Sequence, residues 1–341
     1  MTSSKIKTKI TAVVIVAFAV IVLGIGVGSV YVSPFQVLQI FASKLSFTDN
    51  ISDDMARLSV IILRVRLPRV LTAFICGGAF AMAGVIMQGC LKNLLASAYT
   101  IGVSSGASLF AACTLFFGAG FSRVSLPVAG SLGAVITVFA VVKFAQTVDR
   151  SLSDNTLILT GMIFSLFINA ILTVIVSLNA EKLGKLLFWQ MGNFAWHGWD
   201  GLKVMFPCTV IAFIFLFSHS IEADILTFGD ERALSLGVQA QTVKKKLLVV
   251  SSLLIGIIVS FVGIIGFVDL IAPHAVRKFF GSKHKIVLPM SFLFGGILMV
   301  ICDLIARTIL SPRELAVGAV TAIIGAPFFA SVYFSKRRSN A

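Results

Sequence analysis

The chain has 341 residues, of which 58% are hydrophobic and only 12% charged. That composition excludes an ordinary soluble domain and points to a polytopic membrane protein. The net charge of +14 is spread in small basic clusters at the ends of apolar runs and not along one stripe, which argues for membrane orientation and against a nucleic-acid partner.

In chain order, Lys5, Lys7 and Lys9 precede an apolar run over 10–32. The run is longer than a signal-peptide core and no clear cleavage site follows it, so it reads as an uncleaved first span, with a processed signal as the alternative. A membrane helix needs about 20 apolar residues. The breaks between runs place ten spans, at 10–32, 67–90, 95–117, 126–144, 155–178, 202–221, 247–265, 267–280, 286–305 and 317–334. The eighth is short and carries Asp269 and Pro273, which suits a half-helix or a tilted segment buried by its neighbours. Gly77, Gly78, Ala79, Ala81, Ala83 and Gly84 in the second are small residues that let helices approach closely.

Ten spans put both ends on one side, and both ends are basic: Lys5, Lys7 and Lys9 at the start, Lys336, Arg337 and Arg338 at the finish. The positive-inside rule makes that side the cytoplasm, with roughly 17 Lys and Arg inside and roughly 11 outside. Arg57, Arg64, Arg66 and Arg69 crowd the outer approach to the second span. Basic residues held against the bias invite a functional explanation. The aromatic stretch 192–200 lies outside, as interfacial belt or vestibule; its His197 reads as polar cover and not as a haem ligand.

Segment 229–246, GDERALSLGVQAQTVKKK, is the longest charged helix-like stretch. It reads as two short helices joined at Gly237. It cannot lie in hydrocarbon, where a central Asp, Lys or Arg costs roughly 2.5–3.5 kcal/mol. Its apolar Ala233, Leu234, Leu236 and Val238 need a partner to cover them, so the segment is predicted to be a docking surface.

The chain carries no GxxxxGK[ST] phosphate loop, no HExxH and no acidic cluster beside a histidine within the membrane, so it has no evident engine of its own. Cys76, Cys90, Cys113, Cys208 and Cys302 are scattered without CxxC spacing, which indicates packing and neither a disulfide framework nor a metal site. Asp269, His274 and Asp303 sit at or near membrane depth. They would serve a proton relay if they faced one another; otherwise they pair locally with backbone or arginine.

A set of longer motifs carries a resemblance. Arg66 to Arg69 reads RLPR, Gly78 to Gln88 follows GAxLAxxGxxxQ, and Asn93 to Ala107 follows NPLAxPxxLGxxxGA. Gly266 to Arg277 follows GFxxLxxPHxxR, Gly281 to His284 follows GxDH, and Asp303 to Phe328 follows DxxARxxxxPxELPxGxxTAxxGxPxF. Together these resemble the FecCD-type permeases, the membrane subunits of ABC importers for iron–siderophore complexes, haem and cobalamin, over nearly the whole chain. The departures are Leu94, Ala98 and Ala316 where the family has proline, and Asp269 at a position usually apolar or glycine. Lost prolines free the backbone of the turn after the second span.

The resemblance implies an all-α, type II ABC importer permease fold forming one transmembrane domain over 1–341, in a bacterial cytoplasmic (inner) membrane with both termini inside. It implies a second permease subunit, two ATPase subunits below and an extracytoplasmic substrate-binding protein above, with lipid around. No cofactor is expected in this chain, since ATP and magnesium belong to the ATPase. Arg66, Arg69 and Arg307 correspond to a cationic patch that receives acidic residues of the binding protein; otherwise they would anchor helix ends at the headgroups. Asn93 and Leu95 correspond to a cytoplasmic gate, opposed by Asp154 and Asn155, which otherwise would cap a helix. Gly229, Asp230, Glu231, Ala233, Leu234, Leu236 and Gly237 follow the GDExAxxLGV pattern of the loop that rests in a cleft of the ATPase. The expected function is ATP-driven import by alternating access, with no covalent chemistry in this chain. The competing class is an ion-gradient-driven secondary transporter, for which Asp269 beside a short span is the one feature in favour.

Overall fold

The computed structural model describes residues 3–28, 32–45, 53–117, 125–149, 152–178, 180–195 and 198–338, and these are helical apart from turns and short connections. The helices are α1 (Ser3–Gly26), α2 (Pro34–Leu45), α3 (Asp53–Val60), α4 (Leu67–Cys90), α5 (Val103–Phe117), α6 (Ser125–Val148), α7 (Asp154–Leu178), α8 (Leu183–Gln190), α9 (Gly198–Ser218), α10 (Ser220–Leu226), α11 (Asp230–Ser235), α12 (Ala240–Val262), α13 (Val268–Phe280), α14 (His284–Thr308) and α15 (Val317–Arg338). A π-helical turn, Ile61–Arg66, runs from α3 into α4, and Pro68, which has no N–H to donate, lies just after it.

Each of the ten predicted spans contains a helix. Among the described residues, 7 helices are long and apolar enough to cross a membrane, while the apolar stretches Val103–Phe117 and Val317–Ser331 are shorter. With 13 residues, α13 reaches only about 20 Å, short of a hydrocarbon core of about 30 Å, and it packs against α4, α14 and α15 as a half-helix.

Several boundaries differ from expectation, and the first helix already ends at Gly26 and not near 32. The third helix starts at Val103 and not near 95, because 98–101 forms a 3-10 turn capped by Ser97 and ended by Gly102 at φ +87. The sixth stops at Ser218, and the chain turns at His219 into the separate α10. The two short helices expected in 229–246 are one, α11; the lysine-rich part is already the start of the long α12. His197, weighed above as a ligand, lies outside the described residues.

The post of the assembly is α4, with α1, α9, α12, α13 and α14 packed around it. Its small residues explain the arrangement. A Cβ on Gly77 would run into the Gly295 carbonyl of α14, and one on Gly295 into the Gly77 carbonyl, so the two backbones touch at that crossing. A Cβ on Gly84 would strike the Asp269 carbonyl in the same way, which seats the first turn of α13 on α4. At the periphery, α7 exposes Leu159, Ile163, Leu166 and Phe167, a face fit for lipid or another apolar helix.

Candidate functional site

Two charged clusters sit at opposite ends of α4. At its start Arg66, Arg69 and Arg307 come together, but their guanidinium groups turn inward and the residues are only 5%, 8% and 8% exposed. The cationic patch expected of them is therefore not an open surface. The cause is local: the last carbonyls of α1 and a buried carboxylate on α14 need donors. Arg66 donates from Nη1 to the carbonyls of Ile25 and Gly26, at 3.1 and 2.9 Å. Arg307 donates to the Gly24 carbonyl and keeps Nε 3.6 Å from Asp303. Asp303, fully buried, receives Arg69 at 2.8 Å, and the outer edge of Arg69 holds Glu314 at 2.8 Å, whose side chain is 41% exposed. The exposed cations nearest in sequence are Arg57, Arg64 and Arg313.

The other end of α4 gathers the predicted gate residues and the predicted coupling helix. Asn93 folds the turn after α4 by accepting the Leu95 N–H on Oδ1 at 2.9 Å, and Leu95 is exposed. Asp154 is the first residue of α7 and Asn155, next to it, is exposed; the residue ahead of the helix is Ser153, bonded to Thr156. The loop from α10 ends at Gly229, φ +109, the residue ahead of α11. Gly237, φ +81, closes α11: its N–H reaches the Leu234 carbonyl and that of Val238 the Ala233 carbonyl, both at 2.9 Å. That pair of bonds is a Schellman closure, which requires the left-handed residue glycine supplies. The apolar positions divide. Ala233 is buried by the chain itself, while Leu234 and Leu236 are 68% and 64% exposed. A cleft of about 490 Å³ runs beside Asp230, Glu231, Leu234, Gln239 and Thr242.

Asp230 and Asp154 are tied together by two lysines that the sequence reading passed over. Lys92 lies 3.1 Å from Asp230 and 3.6 Å from Asp154, and Lys244 lies 2.5 Å from Asp154 and 3.6 Å from Asp230. Burial works against the Lys92 ammonium, yet the bonds and charges of Asp230 and Asp154 outweigh it and hold its pKa above the usual lysine value. A signal for Lys244 was present: with Ala240, Leu247, Leu248 and Ser251 it falls on the buried stripe of α12. Close by, Asp224 of α10 accepts both the His284 N–H, at 2.9 Å, and His284 Nδ1, at 2.7 Å, fixing the start of α14. Burial pushes the Asp224 carboxyl up, but the bonds from His284 prevail and leave it below the usual range.

Asp269 is 3% exposed and bonds to Ser97, while Gln88 donates to its carbonyl at 3.3 Å. His274 meets the Phe328 ring edge-on at 6.1 Å, and Asp303 is taken by arginine. Each of the three has its own neighbours, the arrangement of local pairing and not of a relay. Among the described residues there is no group of three or more His, Cys, Asp or Glu that could hold a metal ion.

The sequence pattern of the FecCD transport family matches residues 14–335. The chain belongs to that family. As a FecCD permease it is a multi-pass membrane protein of the ABC importer class. It is 38% identical over 94% of its length to 91% of the ABC transporter permease protein YvrB of Bacillus subtilis (strain 168). To the Fe(3+)-citrate import system permease protein YfmE of the same organism it is 32% identical, with 96% of both chains covered. A solved inward-facing structure of an ABC transporter described as metal-chelate type superposes with a TM-score of 0.84 at 29% identity, covering 96% of this chain and 99% of that one.

Proposed function

We propose that this FecCD permease forms, with a second permease subunit, the pathway of an ATP-driven importer for an iron chelate, a corrinoid or a similar metal-bearing compound. The observation that carries the reading is α11: a short helix, closed by glycine and anchored by Asp230, that turns Leu234 and Leu236 outward. Exposed leucines on a fixed helix outside the bundle suit a cleft in a soluble partner, and the partner is the ATPase, which binds ATP and magnesium; this chain performs no covalent step. The α11 end then faces the cytoplasm. The start of α1 lies at the level of the 277–285 turn, since Lys9 donates to the Phe279 carbonyl at 3.2 Å, so the amino terminus shares a side with that basic turn, and the positive-inside bias makes it the inner side of the bacterial cytoplasmic membrane.

The Arg66, Arg69 and Arg307 end receives the substrate-binding protein. Arg66 and Arg307 hold the frame, Arg69 offers the edge now occupied by Glu314 to a partner carboxylate, and Arg57, Arg64 and Arg313 steer the encounter through their field. Nucleotide binding in the ATPase and substrate loading of the binding protein each favour one of two conformations, and Asn93, Leu95, Asp154 and Asn155 form the inner gate between them.

Copurification tests the reading. Wild-type permease extracted from membranes retains the co-expressed ATPase, and L234D or L236D releases it while the permease itself remains folded. An ATPase held as tightly by both variants as by wild type would overturn the assignment of α11.

A further inference from the structure

The lysines at the inner end of α4 do more than neutralise two aspartates. Lys92, Asp154, Asp230 and Lys244 form a square of alternating charge in which each cation lies within 3.6 Å of both anions. Four separate segments meet there: the turn after α4, the first residue of α7, the first residue of α11 and the opening turns of α12. One corner is fixed. Lys244 is 1% exposed and also donates to the Leu152 carbonyl at 3.2 Å. The opposite edge is open, with Lys92 and Asp230 side chains 35% and 36% exposed.

The backbone marks the same place. Lys92 has φ +44 and Leu152 φ +51, two of three non-glycine residues with positive φ among those described. After a helix such a position is ordinarily glycine, because a Cβ is disfavoured there. Local backbone preference would thus put glycine at Lys92, and the chain keeps a lysine whose ammonium reaches α11. Strain held at a side chain that joins two elements is the pattern of a functional position. The next residues along the chain are Asn93 to Leu95, the gate turn.

We propose that Lys92 is a positioning residue that transmits movement of α11 to the gate turn through its ion pair with Asp230, pivoting on the buried Lys244–Asp154 pair. When α11 is displaced, Asp230 draws Lys92 along, and Lys92 carries Asn93 and Leu95 with it; Lys244 keeps the start of α7, the other side of the gate, in place. The inference rests on the assignment of α11 to the ATPase, and adds the link by which that contact reaches the pathway.

The test uses the complete complex of permease, ATPase and binding protein in vesicles, with import counted per ATP hydrolysed. K92G suits the left-handed backbone, so a merely structural lysine predicts an unaltered or firmer protein with normal coupling. The transmission link predicts that K92G still copurifies with the ATPase and hydrolyses ATP, that import per ATP falls about tenfold, and that K92R, which keeps the charge, stays within about twofold of wild type. Import per ATP near wild type in K92G, or loss in K92R equal to that in K92G, would overturn the proposal. So would release of the ATPase by K92G alone, which would make the square a docking support and not a link. Failure of the wild-type chain to retain the ATPase would instead sink the reading of α11 beneath it.

Discussion

The two ends of α4 carry charged clusters of similar composition and different burial. Its 24 residues separate them by about 36 Å. At the arginine end the acceptors are helix-end carbonyls and the fully buried Asp303, and the elements joined, α1, α4 and α14, already pack along one another. At the lysine end the acceptors are two part-exposed aspartates at the starts of α7 and α11. The first cluster fills a need created by burial, so its charges hold a frame. The second ties the starts of α7 and α11 to the packed pair α4 and α12, so its charges hold a joint. A buried charge left unpaired is costly, whereas an exposed pair contributes little to stability, and that asymmetry separates the roles.

The largest effect follows at the frame. R69A leaves Asp303 buried without its main partner, and stability should fall by about 3–5 kcal/mol, seen as early melting or loss of monodisperse protein in detergent. Replacing both, R69L with D303L, should recover much of the loss, since two apolar side chains leave no orphan charge. If R69A melts like wild type, the contrast between the two ends collapses. A smaller loss is expected at the crossing beside it: G77V forces the Gly295 backbone away and should cost about 1–3 kcal/mol through overpacking. At the joint, K92G should shift melting hardly at all, because relief of the left-handed strain of about 1 kcal/mol offsets an exposed ion pair worth about 0–1 kcal/mol. Least of all, D269N keeps a partner for Ser97 and should leave import within about twofold of wild type, as expected of a carboxyl that pairs locally. Import abolished by D269N with folding intact would favour a gradient-driven cycle.

What the sequence made legible was set by range. Apolar runs are local, and each of the ten holds a helix, 7 of the described helices being long and apolar enough to cross a membrane; the short α2, α3, α8 and α10 escaped because none is a long run. Gly237 was readable as a helix end, since Schellman chemistry is written in neighbouring residues. Pairing is not local. Arg69 with Asp303 and Lys92 with Asp230 are joined by the fold across 234 and 138 residues, and the charge of an arginine says nothing of whether it faces water or a helix end. Thus RLPR is legible as the approach to α4, while the inward turn of Arg66 and Arg69 onto Ile25, Gly26 and Asp303 is not. Lys244 was the recoverable miss, a cation on an apolar stripe.

The central claim is that this permease moves its substrate only when driven through α11. Vesicles holding the permease with its ATPase, supplied with binding protein loaded with an iron chelate, should accumulate the chelate on addition of ATP and magnesium. They should take up none under a proton or sodium gradient alone, and L234D should abolish the ATP-driven uptake. Accumulation under a gradient without ATP would contradict the account.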